Sequence, residues 1–481
     1  MDLLDTPSSV AEISLPDQKP WRHKRQEAAQ PRPMSPFQLR IHRCLCLLVF
    51  SMIFEGITRK LAPSWLGNVI FFFKDLVAVI LLLILVTGNP NVTAKRWLRI
   101  MGILFVLLGP CILLTAIKDP LLAIFGTKQY MLFPIAAVAM CAAYLPHHLR
   151  QFFSLFKWIA LSVIMTTLVA VAQNQLPASN WLNLSVGGDD LSRFAAGGYL
   201  RVSSTFPFVG QYCDYLNALC YCLPVYFIFN KAFSGRAASL QTVVLIGLAI
   251  AGTFVTGSRT SVIGNAGILC AAGLLLVVCG GLRAISKVII PVVCGIVLLG
   301  LIESKYPEFF AAYQARVSGT GEVSHTIEMK KRILSGLLDW TDGTVEAPPS
   351  LLGYGLGVMS NGSDKLSNYA AEWRRNGYWT ETDQATTFFE GGWYLVLVWY
   401  GFRFWVIISS VALVTKLRCL EFQIAACFAW GYILVIGVTG VLAIQPAIAI
   451  WWWLAVGLIT CLSHFDRELR KNKQASDFVL R

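Results

Sequence analysis

Two arginines stand out by type and position. Arg259 lies in "GTFVTGSRTSVIGNAG" (252–267), between residues 238–256 and 261–280, which carry almost no charge. Arginine is costly at membrane depth, so Arg259 needs a partner, a water-filled cavity or a function there. The alternative, for this position alone, is an interfacial arginine snorkelling outward or capping a helix turn. Arg201 lies in "LRVSSTFPFVGQYCDYL" (200–216), just before another apolar run; on its own it reads as a loop charge. What the pair can do depends on the elements that place them.

Those elements are membrane spans. The 481 residues are 56% hydrophobic and only 14% charged, with a mean hydropathy of +0.60. A soluble domain carries about a quarter charged residues. Repeated apolar stretches ending in Trp or Tyr read as transmembrane helices. Hydropathy predicts about twelve, at approximately 43–58, 65–88, 97–117, 121–145, 152–173, 208–230, 238–257, 260–280, 283–302, 386–412, 421–441 and 443–463. The fold class is therefore an all-α polytopic membrane protein. No internal repeat and no symmetric pair of broken helices marks a transporter.

Charge sets the orientation. Residues 1–40 read as a disordered cytoplasmic tail rather than a signal peptide. The inside connections then carry Lys95, Arg96 and Arg99, Arg150 and Lys157, Lys231 and Arg236, Arg283 and Lys287, and Lys416 and Arg418, with the basic tail 464–481 also inside. The net charge of +13 is thus a topological signal, and no aromatic-interleaved basic face points to nucleic acid. The domain plan is spans one to nine over 41–302, a large outward loop at 303–385 and the last three spans over 386–463. That loop holds eight Lys/Arg and eleven Asp/Glu. Residues 174–207 and the "GSRTS" turn face the same side. The thirteen cysteines lie almost entirely in apolar runs without metal-ligand spacing, which predicts neither disulfides nor a zinc site.

Four local patterns carry a family resemblance: "FFFKDLVAVILLL" (71–83), "LRVSSTFPFVGQYCDYL" (200–216), "TGSRTSVIG" (256–264), and "SLLGYGLGVM" followed by "TDQATTFFEGGWYLVLVWYGF". Together they cover much of 65–412. In order and spacing around one large loop, they resemble the O-antigen ligase and O-antigen polymerase superfamily of lipid-linked glycan enzymes. The resemblance implies a fold similar to the multi-span C-type glycosyltransferases. It implies inverting, metal-independent glycosyl transfer, without a cofactor, on the periplasmic face of the bacterial inner membrane. The donor is a glycan on undecaprenyl pyrophosphate and the acceptor another saccharide. A chain-length regulator or other polysaccharide assembly protein is an implied partner.

Under that resemblance Arg201 and Arg259 match motif positions and are assigned to pyrophosphate, with Arg332 in "EMKKRILSGLLDW" as a third candidate. A guanidinium stays charged and its planar fork fits phosphate oxygens. Asp214 is placed to orient one of the arginines. An acceptor hydroxyl must also lose a proton. Ligases of the family carry a histidine before the span that follows the loop; this chain has "YWTETDQATTFFEGG" there, so Glu381 and Asp383 become the candidate bases, and solvated loop acids are the plain alternative. That departure favours a polymerase of lipid-linked repeat units over a ligase. A polyprenyl-glycan transporter or flippase is the reading from another class. His325 reads as an ordinary loop histidine, and Lys74 and Asp75 as structural charges paired with neighbouring helices, with lining of the lipid-phosphate path as the alternative. "LLGYGLG" (351–357) lacks the Gly-Lys-Ser/Thr of a nucleotide loop and reads as glycine turns packing the loop onto the spans.

Overall fold

The computed structural model describes residues 33–186, 200–234, 238–280, 350–378, 380 and 382–471, with isolated positions between 297 and 314. The ninth expected span (283–302) falls almost wholly outside the described residues. So does most of the large loop, including His325, Arg332 and Glu381. The described part is helical, without a β-strand among the described residues. Eight of its helices are long and apolar enough to cross a membrane, nine if one bent pair counts as a span. The chain is a multi-pass α-helical membrane protein.

Local sequence explains where the helices begin and break. Helix α1 (Pro36–Leu61) starts at a Ser35–Gln38 capping box with proline in its first turn. A two-residue connection leads to α2 (Ser64–Thr87). The α3 helix (Val92–Lys118) is capped by Asn91, whose side chain accepts from the Ala94 amide at 2.9 Å. Asp119 then caps α4 (Pro120–Met131) by accepting from the Leu121 and Leu122 amides. Pro134 lacks an amide proton and cannot continue α4. The chain bends by 48° into α5 (Ile135–Ala143). Next come α6 (Leu149–Gln175), α7 (Val209–Ser234), α8 (Ala238–Val255) and α9 (Arg259–Gly280). Two short helices of the loop, α10 (Ser363–Leu366) and α11 (Asn368–Arg375), precede α12 (Asp383–Val414), α13 (Leu420–Thr439) and α14 (Pro446–Lys471).

Packing sorts these helices by depth. The "IWWWLAVGL" stretch of α14 is almost wholly buried, packed against α5, α7, α12 and α13. At the other extreme α2 leaves Trp65, Val69, Phe72, Leu76, Leu83 and Val86 exposed. Their spacing of three, four and seven is one helical stripe, the pattern of a face turned to lipid.

Short connections and hydrogen bonds gather on one side the C-terminal ends of α1, α3, α6 and α8 and the N-terminal ends of α2, α4, α7 and α9. The opposite ends carry Arg40, Arg43, Lys95, Arg96, Arg99, Arg150, Lys416 and Arg418. The first side also holds the 350–378 loop and every expected site residue that is described.

Candidate functional site

The site is built on an irregular segment, 200–208, that runs among helices. Irregular backbone at membrane depth needs protein partners, and here Ser204 and Thr205 find theirs, while the Ser203 hydroxyl is buried without one. The Ser204 amide donates to Gln173 Oε1 at 2.6 Å, and its hydroxyl donates to the Thr166 carbonyl at 2.6 Å. Both partners lie on α6. The Thr205 hydroxyl donates to the Ile53 carbonyl of α1, and the Ile57 amide donates back to the Thr205 carbonyl at 3.0 Å. Ser204 is the one non-glycine residue with positive φ (54°) among the described residues, a conformation that persists only where the surroundings over-determine it. Gly56 makes this approach possible, since a Cβ there would meet the Phe206 and Pro207 backbone. So anchored, the segment holds Arg201 toward the α8–α9 turn.

That turn is Thr256-Gly257-Ser258. Gly257 takes φ 60°, and the Ser258 amide donates to Thr256 Oγ1 at 3.1 Å. Ser261, one turn into α9, donates to the Ser258 carbonyl at 3.0 Å and to the Thr253 carbonyl at 3.1 Å. Arg201 reaches across and donates to Ser258 Oγ at 3.3 Å. Its Nε is buried without a hydrogen-bond partner. Burial chiefly lowers the Arg201 pKa from its ordinary value; the neighbouring Cys213 thiol opposes this, and the Arg259 charge adds to it. Arg201 and Arg259, far apart in sequence, thus stand as electrostatic neighbours on either side of Ser258. Among the described residues no carboxylate forms an ion pair with either. Two electrostatically coupled guanidinium groups at the start of a helix, whose first amides lack intrahelical acceptors, are an arrangement able to hold an oxyanion.

The other candidates divide. Asp214 is buried on α7 but makes no salt bridge with Arg201 or Arg259, and it lies within electrostatic reach of Cys213 and of Tyr432 on α13. Asp383 is not a solvated loop acid. It is the first residue of α12, fully buried, and ion-paired with fully buried Arg403. Tyr400 donates to its Oδ2 at 3.0 Å and the Ala443 amide to its Oδ1 at 3.2 Å. Arg403 also donates to the Ile436 and Gly440 carbonyls. Three donors hold this buried carboxylate and leave it one acceptor position, on Oδ1, so the Arg403 ion pair gives Asp383 a structural role. Lys74 and Asp75 pair as expected with neighbouring helices, Lys74 with Glu55 on α1 at 3.1 Å and Asp75 with Lys128 on α4 at 2.7 Å.

Two features escaped sequence reasoning. The α12 helix breaks at Gly392, whose φ of 61° and ψ of −160° are non-helical. The "GYGLG" turn docks on the carbonyls preceding that break. The Tyr354 amide donates to the Phe389 carbonyl and the Gly355 amide to the Glu390 carbonyl, both at 2.9 Å. The Glu390 side chain is fully buried, accepting from the Tyr130 hydroxyl at 2.9 Å and from the Met359 amide at 3.0 Å. The chain therefore does have two broken helices, α4–α5 and α12, joined by Tyr130–Glu390. The signals were present as Pro134 and as "EGG" inside an apolar run. Arg403 was equally legible: it is a lone arginine inside a span, the criterion that singled out Arg259.

The chain matches no protein-family model and no curated protein.

Proposed function

We propose that this chain is a polymerase of lipid-linked polysaccharide repeat units, of an O-antigen or exopolysaccharide, in the bacterial inner membrane. The carrying observation is the Arg201–Ser258–Arg259 cluster, two guanidinium groups without a described acidic partner. It lies on the side of the bundle opposite the basic ends. In this proposal that side is periplasmic, a reading the positive-inside rule supports.

In this proposal the acceptor hydroxyl oxygen attacks the anomeric carbon of the donor glycan, the bond from that carbon to the pyrophosphate oxygen breaks, and undecaprenyl pyrophosphate leaves. Negative charge grows on the pyrophosphate as the bond lengthens. Arg201 and Arg259 stabilise it without a metal, since each carries a permanent charge and several donors. Each well-placed donor of this kind is worth about 3–4 kcal/mol, or roughly a hundred- to thousandfold in rate. With Asp383 occupied, Glu381 is the acceptor of the hydroxyl proton.

The test is a deletion strain complemented with wild type or Arg259→Ala. Loss of a polymerase leaves single repeats on undecaprenyl pyrophosphate. Loss of a ligase leaves long chains there, and loss of a flippase leaves repeats facing the cytoplasm. Full-length polymer made by a normally inserted Arg259→Ala protein would overturn the phosphate role.

A further inference from the structure

We infer that Arg59, Lys60, Lys74 and Lys128 form a second site for a lipid-linked pyrophosphate, the one that carries the acceptor. The inference rests on the polymerase reading. In that reaction donor and acceptor are both glycans on polyprenyl pyrophosphate. Two diphosphates must then stand on one side of the membrane at once, and the Arg201–Arg259 pair accounts for one.

The charges around Glu55 and Asp75 do not balance. Three cations, Arg59, Lys74 and Lys128, pair with these two acids, and Lys60 follows Arg59 in the chain, so four cations stand against two acids. Glu55 is shared, at 3.2 Å from Arg59 and 3.1 Å from Lys74. Lys60 sits against the Leu182 carbonyl at 2.8 Å and pairs with no described acid. Arg59 keeps a buried Nε without a partner. Aromatic faces hold the cations away from water: Lys74 lies 4.0 Å and Arg59 5.0 Å from the Phe71 ring centre, and Lys128 lies 4.5 Å from that of Phe125. Lys74 is nearly inaccessible and Arg59 and Lys128 are partly buried, and a cation excess in so apolar a setting favours a multivalent anion.

Position fits the role. The Ile57–Thr205 backbone bond ties this end of α1 to the segment that carries Arg201, so the two cationic clusters flank residues 203–207. The Lys74–Asp75 pair borders the lipid-facing stripe of α2 at Phe72 and Leu76, along which a polyprenyl chain can lie. A ligase with a non-pyrophosphate acceptor has no use for a second such site.

The experiment counts ligands by native mass spectrometry on the purified protein, with undecaprenyl pyrophosphate as the probe. Wild type is expected to bind two. Arg59→Gln/Lys60→Gln and Arg201→Gln/Arg259→Gln are each expected to bind one, and the retained ligand reports that the fold is intact. If Arg59→Gln/Lys60→Gln loses both, Lys60→Gln alone decides, because Lys60 makes no described ion pair. An at least tenfold weaker second binding supports the site and unchanged binding overturns it. One ligand on wild type, or two on Arg59→Gln/Lys60→Gln, also overturns the second site while leaving the polymerase reading standing. No ligand on wild type overturns the reading itself. Displacement of the second ligand by equimolar phosphatidylglycerol would mark a general anionic-lipid patch and also overturn the inference.

Discussion

Removing the Asp383 carboxylate would separate a structural acid from a catalytic one. In Asp383→Ala the Arg403 guanidinium, with no exposed surface, keeps two backbone carbonyls but loses its only counter-ion among the described residues. Breaking a buried pair from one side costs about 3–5 kcal/mol, because an uncompensated charge stays behind. The Tyr400 hydroxyl and the Ala443 amide lose their acceptor as well. Each buried group left unpaired adds roughly 1–3 kcal/mol where no water replaces the bond. Arg403→Met alone strands the carboxylate and should cost a similar amount. The double variant Asp383→Leu/Arg403→Met strands neither charge and should recover most of the loss. The assay is a double-mutant cycle of unfolding in mixed micelles, alongside polymer production. Additive single effects would refute the pair. An Asp383→Asn protein of normal stability that made no product would refute the structural assignment and return Asp383 to catalysis.

Three further outcomes follow from the contacts around the loop. Glu390→Leu should destabilise by a few kcal/mol, since it orphans the Tyr130 hydroxyl and the Met359 amide. Glu390→Gln, which keeps a carbonyl acceptor, should cost less, and unfolding midpoints compare the two. Gly392→Ala places a Cβ against the Ser350 and Leu351 backbone at positive φ; it should cost about 1–3 kcal/mol from backbone strain alone and expose residues 350–378 to limited proteolysis. Asp119 titrates below its ordinary 3.8, chiefly through the Ser367 hydroxyl and further through the Leu121 and Leu122 amides. Because the folded value is the lower one, its contribution is full above the unfolded pKa and fades as the pH falls through the folded value. Proteolysis of α11 should therefore rise with acidification below 3.8 in wild type and show less pH dependence in Asp119→Asn.

Apolar periodicity made most of the helices legible, because lipid-facing and core-facing stretches are both long and nearly uncharged. Lys74 and Asp75 were also legible, since a charge ten residues into a span has few options besides a partner. The breaks were harder to see. Pro134 and Gly392 lie inside runs whose hydropathy does not change, and what completes the α12 break is a loop more than thirty residues upstream. The burial and ion pairing of Asp383 were hidden for a related reason. Its partner Arg403 is twenty residues away, beyond any local pairing rule. Arg201 and Arg259 were individually visible, but their meeting at Ser258 depends on anchors spread over α1 and α6, which no spacing within 200–216 encodes.

The most direct test of the central claim is binding of undecaprenyl pyrophosphate to wild type, Arg201→Gln, Arg259→Gln and the double variant, in detergent and at matched protein stability. Each single variant should weaken one bound ligand at least tenfold, and the double variant should abolish that ligand while the fold persists. Undiminished binding by the double variant would contradict the account, leaving the two arginines as interfacial charges without a pyrophosphate between them.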